Sequence, residues 1–394
     1  MTPKVVIIGI GFSSRLGLIR AVAQTGAVID VIALCCGRFR PIDSYSKYIR
    51  NYYCCKGNDG KRILQILFDN YIDDEQKTIL IPVNDFAVTV IDNNIDRLKE
   101  HFLFPHIQMR QGAAVEWMNK EKQKSMAEAI GLNVVHSYNI EIKEHTYTFP
   151  SEARYPCFTK TRAYVNGYKG TLHRCDDEAE LRGVMDSLSA KYRNLTIMVE
   201  DYKSIEKEYA VVGFSNGKNV VIPGIIEILL MAKGDDKGVA CQGKIMPIVG
   251  FEDIVKKFEQ LIQEIGFVGL FDIDFYLSEG KYYFGEINMR IGGSATAILK
   301  MGVNLPGMFV KSLCGESIDE MNKAIESSAI FVNERICSDN WCDGYLSKRE
   351  MYNLFETADI SFVKDNQDKK PEKRFKWELK ILLIKRYLKK CLKK

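Results

Sequence analysis

The first 110 residues alternate short apolar runs with segments whose apolar positions recur every three or four residues. Residues 5–11 (VVIIGIG), 27–34 (AVIDVIAL) and 78–83 (TILIPV) are apolar runs of strand length, whereas 14–25, 60–71 (GKRILQILFDNY) and 85–98 (DFAVTVIDNNIDRL) have helical spacing. This alternation predicts a small parallel sheet with helices on its faces. Asn119 caps a predicted helix from Lys120 to about Ile130, which Gly131 stops. Residues 155–174 read as two short strands joined by a glycine-bearing hairpin, and 176–191 as a helix opened by Asp176. From residue 196 the pattern changes: TIMVEDY, EYAVVGFS, NVVIPGIIEIL and GKIMPIV follow at short intervals, predicting a mainly antiparallel sheet. Between two of these strands, 231–242 (MAKGDDKGVACQ) is polar and reads as a mobile loop. A helix over 252–265 and a hairpin over 267–291 complete the series, and the pattern becomes poor after about residue 325.

The hairpin GLFDIDFYLSEGKYYFGEINMR breaks its own apolar pattern. Glu286, Asn288 and Arg290 fall two apart, so in a strand they share one side. On the preceding strand Phe271, Ile273, Phe275 and Leu277 point one way, and Asp272, Asp274 and Tyr276 the other. A turn centred on Gly280 predicts Asp274 opposite Glu286 and Asp272 opposite Asn288. Carboxylates gathered on one face repel without a cation, and hard oxygen donors suit Mg²⁺ held together with substrate phosphates. An arginine two residues on suits a phosphate. A solvated hairpin face with scattered charge is the alternative from this segment alone.

Composition narrows the classes. A chain of 394 residues predicts two to four domains, and 46% apolar with 27% charged residues is ordinary for a globular protein. No run approaches a membrane span, and the apolar start lacks the length and cleavage site of a secretory leader. Gly9-x-Gly11-x5-Gly17 has Ser14 where a dinucleotide fingerprint has its third glycine, so a tight strand-to-helix turn is the better reading. Eleven cysteines without a CxxC pair predict reduced thiols in a cytosolic protein, and the five histidines have no metal-ligand spacing. Residues 371–394 carry a net charge of +8, leaving −4 on the rest, which argues against a nucleic-acid partner. The basic stretch 373–394 (KRFKWELKILLIKRYLKKCLKK) fits either peripheral membrane contact or a terminal helix packed on the body.

The segment E-I-N-x-R followed by glycines, after a strand bearing Asp, resembles the metal-binding hairpin of the ATP-grasp superfamily. That family contains carboxylate–amine ligases such as D-alanine–D-alanine ligase, biotin carboxylase, carbamoyl phosphate synthetase and D-aspartate ligase. Further motifs resemble the family's in order and spacing. Asn119-Lys120 to Gly131 resembles its "DK…G" helix, with Asn for Asp. PCFTK resembles its P-x-x-x-K, and Asn166-Gly167-Tyr168-Lys169-Gly170 its glycine-rich flap. MVEDY resembles its adenine segment, and Glu208 its ribose-binding glutamate, although Val212 stands where an acid often follows.

The resemblance implies α/β and α+β structure: an ATP-grasp fold with an N-terminal Rossmann-like pre-ATP-grasp domain and a C-terminal extension. The implied domains are 1–113, an ATP-grasp central subdomain at 114–195, an ATP-grasp C-terminal subdomain at 196–325, and the extension at 326–394. It further implies ATP and Mg²⁺ (or Mn²⁺) as cofactors. Lys120, Lys160, Gly167, Gly170, Glu200, Tyr202 and Glu208 would bind the nucleotide, Asp274, Glu286 and Asn288 the metal, and Arg290 and Lys160 would act in catalysis. The implied activity is amide formation through an acyl phosphate, with ADP and phosphate released. A small-molecule kinase and a non-catalytic ATP-binding regulator stand as alternatives. Small-molecule or envelope-precursor substrates, a cytoplasmic site that allows membrane contact at its inner face, and room for a homodimer complete the expectations.

Overall fold

The computed structural model describes residues 2–34, 40–73, 75–151, 153–161, 173–234 and 238–391. Five parallel strands open the chain: β1 (Lys4–Gly9), β2 (Val28–Ala33), β3 (Ile49–Cys54), β4 (Thr78–Pro82) and β5 (Phe102–Leu103), in the order β3-β2-β1-β4-β5. Both faces of β1 are buried. Val6 and Ile8 join one apolar cluster with Ile63, Leu67 and Leu98, while Val5 and Ile7 join another with Leu18, Ile19 and Phe309. Helices on each face make the continuous apolar runs necessary. Strand β3 escaped the sequence reading because its residues IRNYYC alternate too little and none of them is buried. Gly9 and Gly11, at φ 143° and 92°, turn the chain into the helix Phe12–Ala23. A Cβ on Gly9 would lie 2.3 Å from Asn84 Oδ1, so these glycines serve the turn.

After the short β6 (His106–Ile107) comes a second sheet. It comprises β7 (Ser137–Lys143), β8 (Thr146–Tyr147), β9 (Cys157–Thr161), β10 (His173–Cys175) and β11 (Leu195–Asp201), antiparallel in the order β10-β9-β11-β7-β8. The helix Glu178–Lys191 covers it, burying Leu181, Met185 and Leu188 against Ile140, Ile142, Ile197 and Val199. Asp177, not Asp176, caps that helix: its side chain accepts from the Glu180 N–H. The flap glycines Gly167 and Gly170 lie outside the described residues.

The remaining strands are β12 (Lys207–Asn216), β13 (Val220–Val221), β14 (Ile225–Met231), β15 (Ala240–Met246), β16 (Phe267–Ser278), β17 (Lys281–Asn288), β18 (Ala329–Val332) and β19 (Ile360–Ser361). They run β17-β16-β12-β14-β15-β18-β19, with β13 paired to β12 and β6 to β16. Met231 belongs to β14 and residues 240–242 to β15, so both ends of the loop expected over 231–242 are strand, and 235–237 lie outside the described residues. The helix Glu252–Ile265 buries Val255, Phe258, Leu261 and Ile262 and ends at Gly266, φ 70°.

The C-terminal part, poorly patterned in sequence, holds the helices Glu334–Asp343, Lys348–Thr357 and Lys369–Cys391. Phe375 and Leu379 of the last helix pack with Trp341, Met351 and Ile42, while Trp377 and Ile384 are 50% and 59% exposed. Buried Glu334 accepts the Phe362 N–H at 3.1 Å, and buried Arg20 donates to the Phe362 and Val363 carbonyls at 3.0 Å each. Long-range side-chain ties of this kind leave no periodic signature. Two compact units emerge: Met1–Val115, Tyr209–Ile273 and Asn288–Lys394 form one, and Glu116–Glu208 with Asp274–Ile287 the other.

Candidate active site

In the second unit, Asn119 accepts hydrogen bonds from the N–H groups of Glu121 and Lys122 at 3.0 and 3.4 Å. This cap fixes where the helix Lys120–Ala129 begins, with Lys120 as its first residue. Lys120 and Lys124, four apart, share a helix face. The Lys120 ammonium pairs with Glu286 Oε2 on β17. Lys124, only 6% exposed, donates to the Val135 carbonyl at 3.0 Å and pairs with Glu200 of β11. Lys160 of β9 reaches the same Glu200 oxygen at 2.7 Å.

Burial acts on Lys120, Lys160, Glu200 and Glu208. For Lys120 it favours the neutral form, but Glu286, Glu200 and Asp274 together outweigh it and hold the ammonium above its ordinary pKa. For Lys160 burial wins, helped by Lys120 and Lys124 against the pull of Glu200, and its pKa is lowered. Burial would raise Glu200, yet Lys160 and Lys124 hold it below the usual carboxylate range. Burial alone raises Glu208. Like charges collected in a low-dielectric setting suit a polyanionic ligand.

The hairpin forms as expected in outline. Its turn is Glu279–Gly280, with φ of 51° and 69°, two left-handed residues in succession as a type I′ turn requires. Tyr276 stacks on Tyr283 with ring centroids 5.8 Å apart. Counting back from this two-residue loop sets Asp274 against Gly285, one residue away from the pairing expected for a turn centred on Gly280. A Cβ on Gly285 would come within 2.8 Å of the Asp274 carbonyl oxygen. Asp274 nonetheless acts with Glu286 on the one Lys120 ammonium.

Two residues of this cluster, Gln123 and Lys124, were missed in the sequence. Buried Gln123 accepts the Ile287 N–H at 2.9 Å and donates to the Ile287 carbonyl at 2.9 Å, while also donating to Trp117 O at 2.7 Å. It thereby pins the backbone between Glu286 and Asn288. Their signal was positional: both follow Lys120 by three or four residues, on one helix face.

In the first unit, Arg290 donates from Nε to Asp85 Oδ1 at 3.0 Å and from Nη2 to Asn288 Oδ1 at 3.3 Å. Asp85 opens the helix Asp85–Asp92 directly after β4, and was also missed. Buried Asp272 lies against Gly292, where a Cβ would sit 1.6 Å from Oδ2. The glycine after Arg290 is therefore required by a neighbouring carboxylate. Tyr202, just past β11, donates its N–H to Pro156 O at 2.9 Å, and the Arg174 guanidinium lies 4.3 Å over its ring. The second unit thus gathers Lys120, Lys160, Glu200, Asp274 and Glu286. Asn288 and Arg290 adjoin each other in the first unit, with Asn288 on the same strand as Glu286.

Comparison with known proteins extends this picture. Residues 232–335 match a family described as ATP-grasp in the biosynthetic pathway with Ter operon. The carbamoyl phosphate synthase large chain of Clostridium beijerinckii is 26% identical over 212 residues, 53% of this chain but only 20% of that protein. The D-alanine–D-alanine ligase of Fusobacterium nucleatum is 26% identical over 197 residues, 48% of this chain and 62% of the ligase. Among solved structures, an ADP complex of N5-carboxyaminoimidazole ribonucleotide synthetase superposes with a TM-score of 0.64 at 14% identity, covering 84% of this chain and 82% of the other. The chain has the ATP-grasp fold, and it spans only part of the length of the curated relatives it matches.

Proposed function

We propose that this protein is an ATP-dependent carboxylate–amine ligase. The observation that carries the reading is the cluster of Lys120, Lys124 and Lys160 around Glu200, Glu286 and Asp274. Three lysine side chains gathered among carboxylates make a receptor for the phosphates of ATP. Lys120 and Lys160 neutralise phosphate oxygens, Lys124 fixes Glu200, and Glu200, Tyr202 and Glu208 serve the nucleoside. Gly167 and Gly170 belong to the same reading as a phosphate-covering flap.

Asp274, Glu286 and Asn288 offer hard oxygen donors, the chemistry that Mg²⁺ or Mn²⁺ takes. Among the described residues, no group of three or more His, Cys, Asp or Glu is arranged to hold a metal by itself. Such a cation would therefore rely on phosphate oxygens as well. When bound, it spreads the charge that develops as the γ-phosphoryl group moves. Arg290, oriented by Asp85, steadies the transferred phosphoryl group. A substrate carboxylate attacks the γ-phosphorus and yields an acyl phosphate and ADP. An amine then displaces phosphate from the acyl carbon, giving the amide.

The relatives' names support this class: one is a D-alanine–D-alanine ligase and another a carbamoyl phosphate synthase large chain. A cytoplasmic site fits the use of ATP and the unbridged thiols of Cys54, Cys157, Cys241 and Cys337. No helix among the described residues is long and apolar enough to cross a membrane, and the basic last helix spends Phe375 and Leu379 on packing. Peripheral membrane contact then rests on Trp377 and Ile384, and flotation with anionic vesicles checks it. The functional test is ADP release with Mg–ATP across a panel of carboxylic acids and amines. Release that requires one acid and one amine supports the reading, and none with any pair, despite nucleotide binding, counts against it.

A further inference from the structure

The reading of Lys120 as a phosphate contact and Glu286 as a metal ligand has a consequence for the order of loading, and the inference rests on that reading. The Lys120 ammonium pairs with Glu286 Oε2, so a cation already sits on a carboxylate assigned to the metal. An ammonium hydrogen-bonded to a carboxylate oxygen and a divalent ion coordinated by that oxygen compete for it. The neighbouring lysines are engaged elsewhere: Lys124 and Lys160 both pair with Glu200.

Geometry also says which partner moves. Gln123 fixes the Ile287 backbone on both its N–H and its carbonyl, so the Glu286 main chain is held. Lys120 stands at the capped first residue of its helix, on a four-carbon stem whose side chain is 28% exposed. Its ammonium can swing while its Cα stays in place.

We propose that Lys120 guards Glu286, so that the divalent cation enters with the nucleotide, whose phosphates draw the ammonium away, and is disfavoured on its own. The exchange is a change of partners: Lys120 Nζ leaves Glu286 for a phosphate oxygen, and the freed carboxylate takes the metal. Lys120 thus has two tasks, binding phosphate and keeping a lone cation out.

The test uses Mn²⁺ alone, titrated into the full-length protein without nucleotide and followed by the free-ion electron paramagnetic resonance signal. Lys120→Gln is expected to bind Mn²⁺ at least about tenfold more tightly than wild type, the scale of losing one charge-assisted hydrogen bond at the contested oxygen. Lys120→Arg keeps the competing cation and is expected to show no gain. Lys160→Gln removes a nearby charge without freeing Glu286 and should gain less than about threefold through the field alone. Adding Glu286→Gln to Lys120→Gln should erase the gain. Wild-type-like Mn²⁺ affinity in a folded Lys120→Gln protein, or equal gains in the Lys120→Gln and Lys160→Gln proteins, would overturn the proposal. Binding of a non-hydrolysable ATP analogue with Mg²⁺ is measured separately: its absence in wild type removes the functional reading, whereas Mn²⁺ data alone decide the guard.

Discussion

The Arg15–Asp43 pair in one unit and the Lys120–Glu286 pair in the other differ in how much water each keeps. Arg15 and Asp43 side chains are 2% and 0% exposed, whereas Lys120 and Glu286 are 28% and 33% exposed. Arg15 grips Asp43 with two arms of its fork, at 2.8 and 3.1 Å, and donates a third bond to Gly9 O at 2.6 Å. Tyr52 adds its hydroxyl to the same carboxylate at 3.2 Å. Every charge there is matched by protein, and the planar fork leaves nothing to exchange. Lys120 instead meets Glu286 with a single rotatable ammonium at a part-open position. A structural pair closes on itself, whereas a working pair must be able to let go.

Substitutions sharpen that contrast. The largest effect is expected from Glu286→Gln, which should lower acid-dependent ADP release by about a thousandfold or more while leaving the unfolding transition near wild type, because the site residue is part-exposed. Asp43→Ala should do the reverse. It strands a buried guanidinium and is expected to cost about 3–5 kcal/mol of stability by denaturant titration, with affinity for an ATP analogue retained by whatever protein stays folded. Gln123→Leu falls between them: orphaning the Ile287 N–H and carbonyl should cost about 1–3 kcal/mol and weaken nucleotide–metal binding together, since β17 carries Glu286. Lys99→Met, which breaks an exposed pair with Asp96, should change stability by less than about 0.5 kcal/mol and leave ADP release untouched. Equal losses from Lys99→Met and Asp43→Ala would break the comparison.

How much of this could be read from the chain depended on the range of the interaction. Of the parallel strands, β1, β2 and β4 were legible because burial on both faces leaves apolar runs such as VVIIG and TILIP. The helices at 120–129 and 252–265 were legible because Asn119 caps the first and Gly266 ends the second. Glu286, Asn288 and Arg290 stood out because polar groups two apart interrupt an apolar strand. Strand β7 and the helices Glu334–Asp343 and Lys348–Thr357 did not stand out, whereas the helical spacing after residue 373 did. The C-terminal part is held by ties such as Arg20 to Phe362 and Glu334 to Phe362, which join residues distant in sequence, and β7 by its pairing with β11. Asp85 was hidden for the same reason, since 205 residues separate it from Arg290. The hairpin register was off by one because a turn centred on one glycine and a two-residue Glu279–Gly280 turn look alike until the left-handed φ at Glu279 is known.

The central claim is that a substrate carboxylate is activated by phosphoryl transfer. It is tested most directly by running the acid panel with Mg–ATP and hydroxylamine, and measuring hydroxamate. The account predicts hydroxamate formation that requires both ATP and one class of acid, matches the ADP released, and disappears in the Glu286→Gln protein. A stable phosphorylated product without hydroxamate, or nucleotide binding with no acid-dependent ADP release, would contradict it.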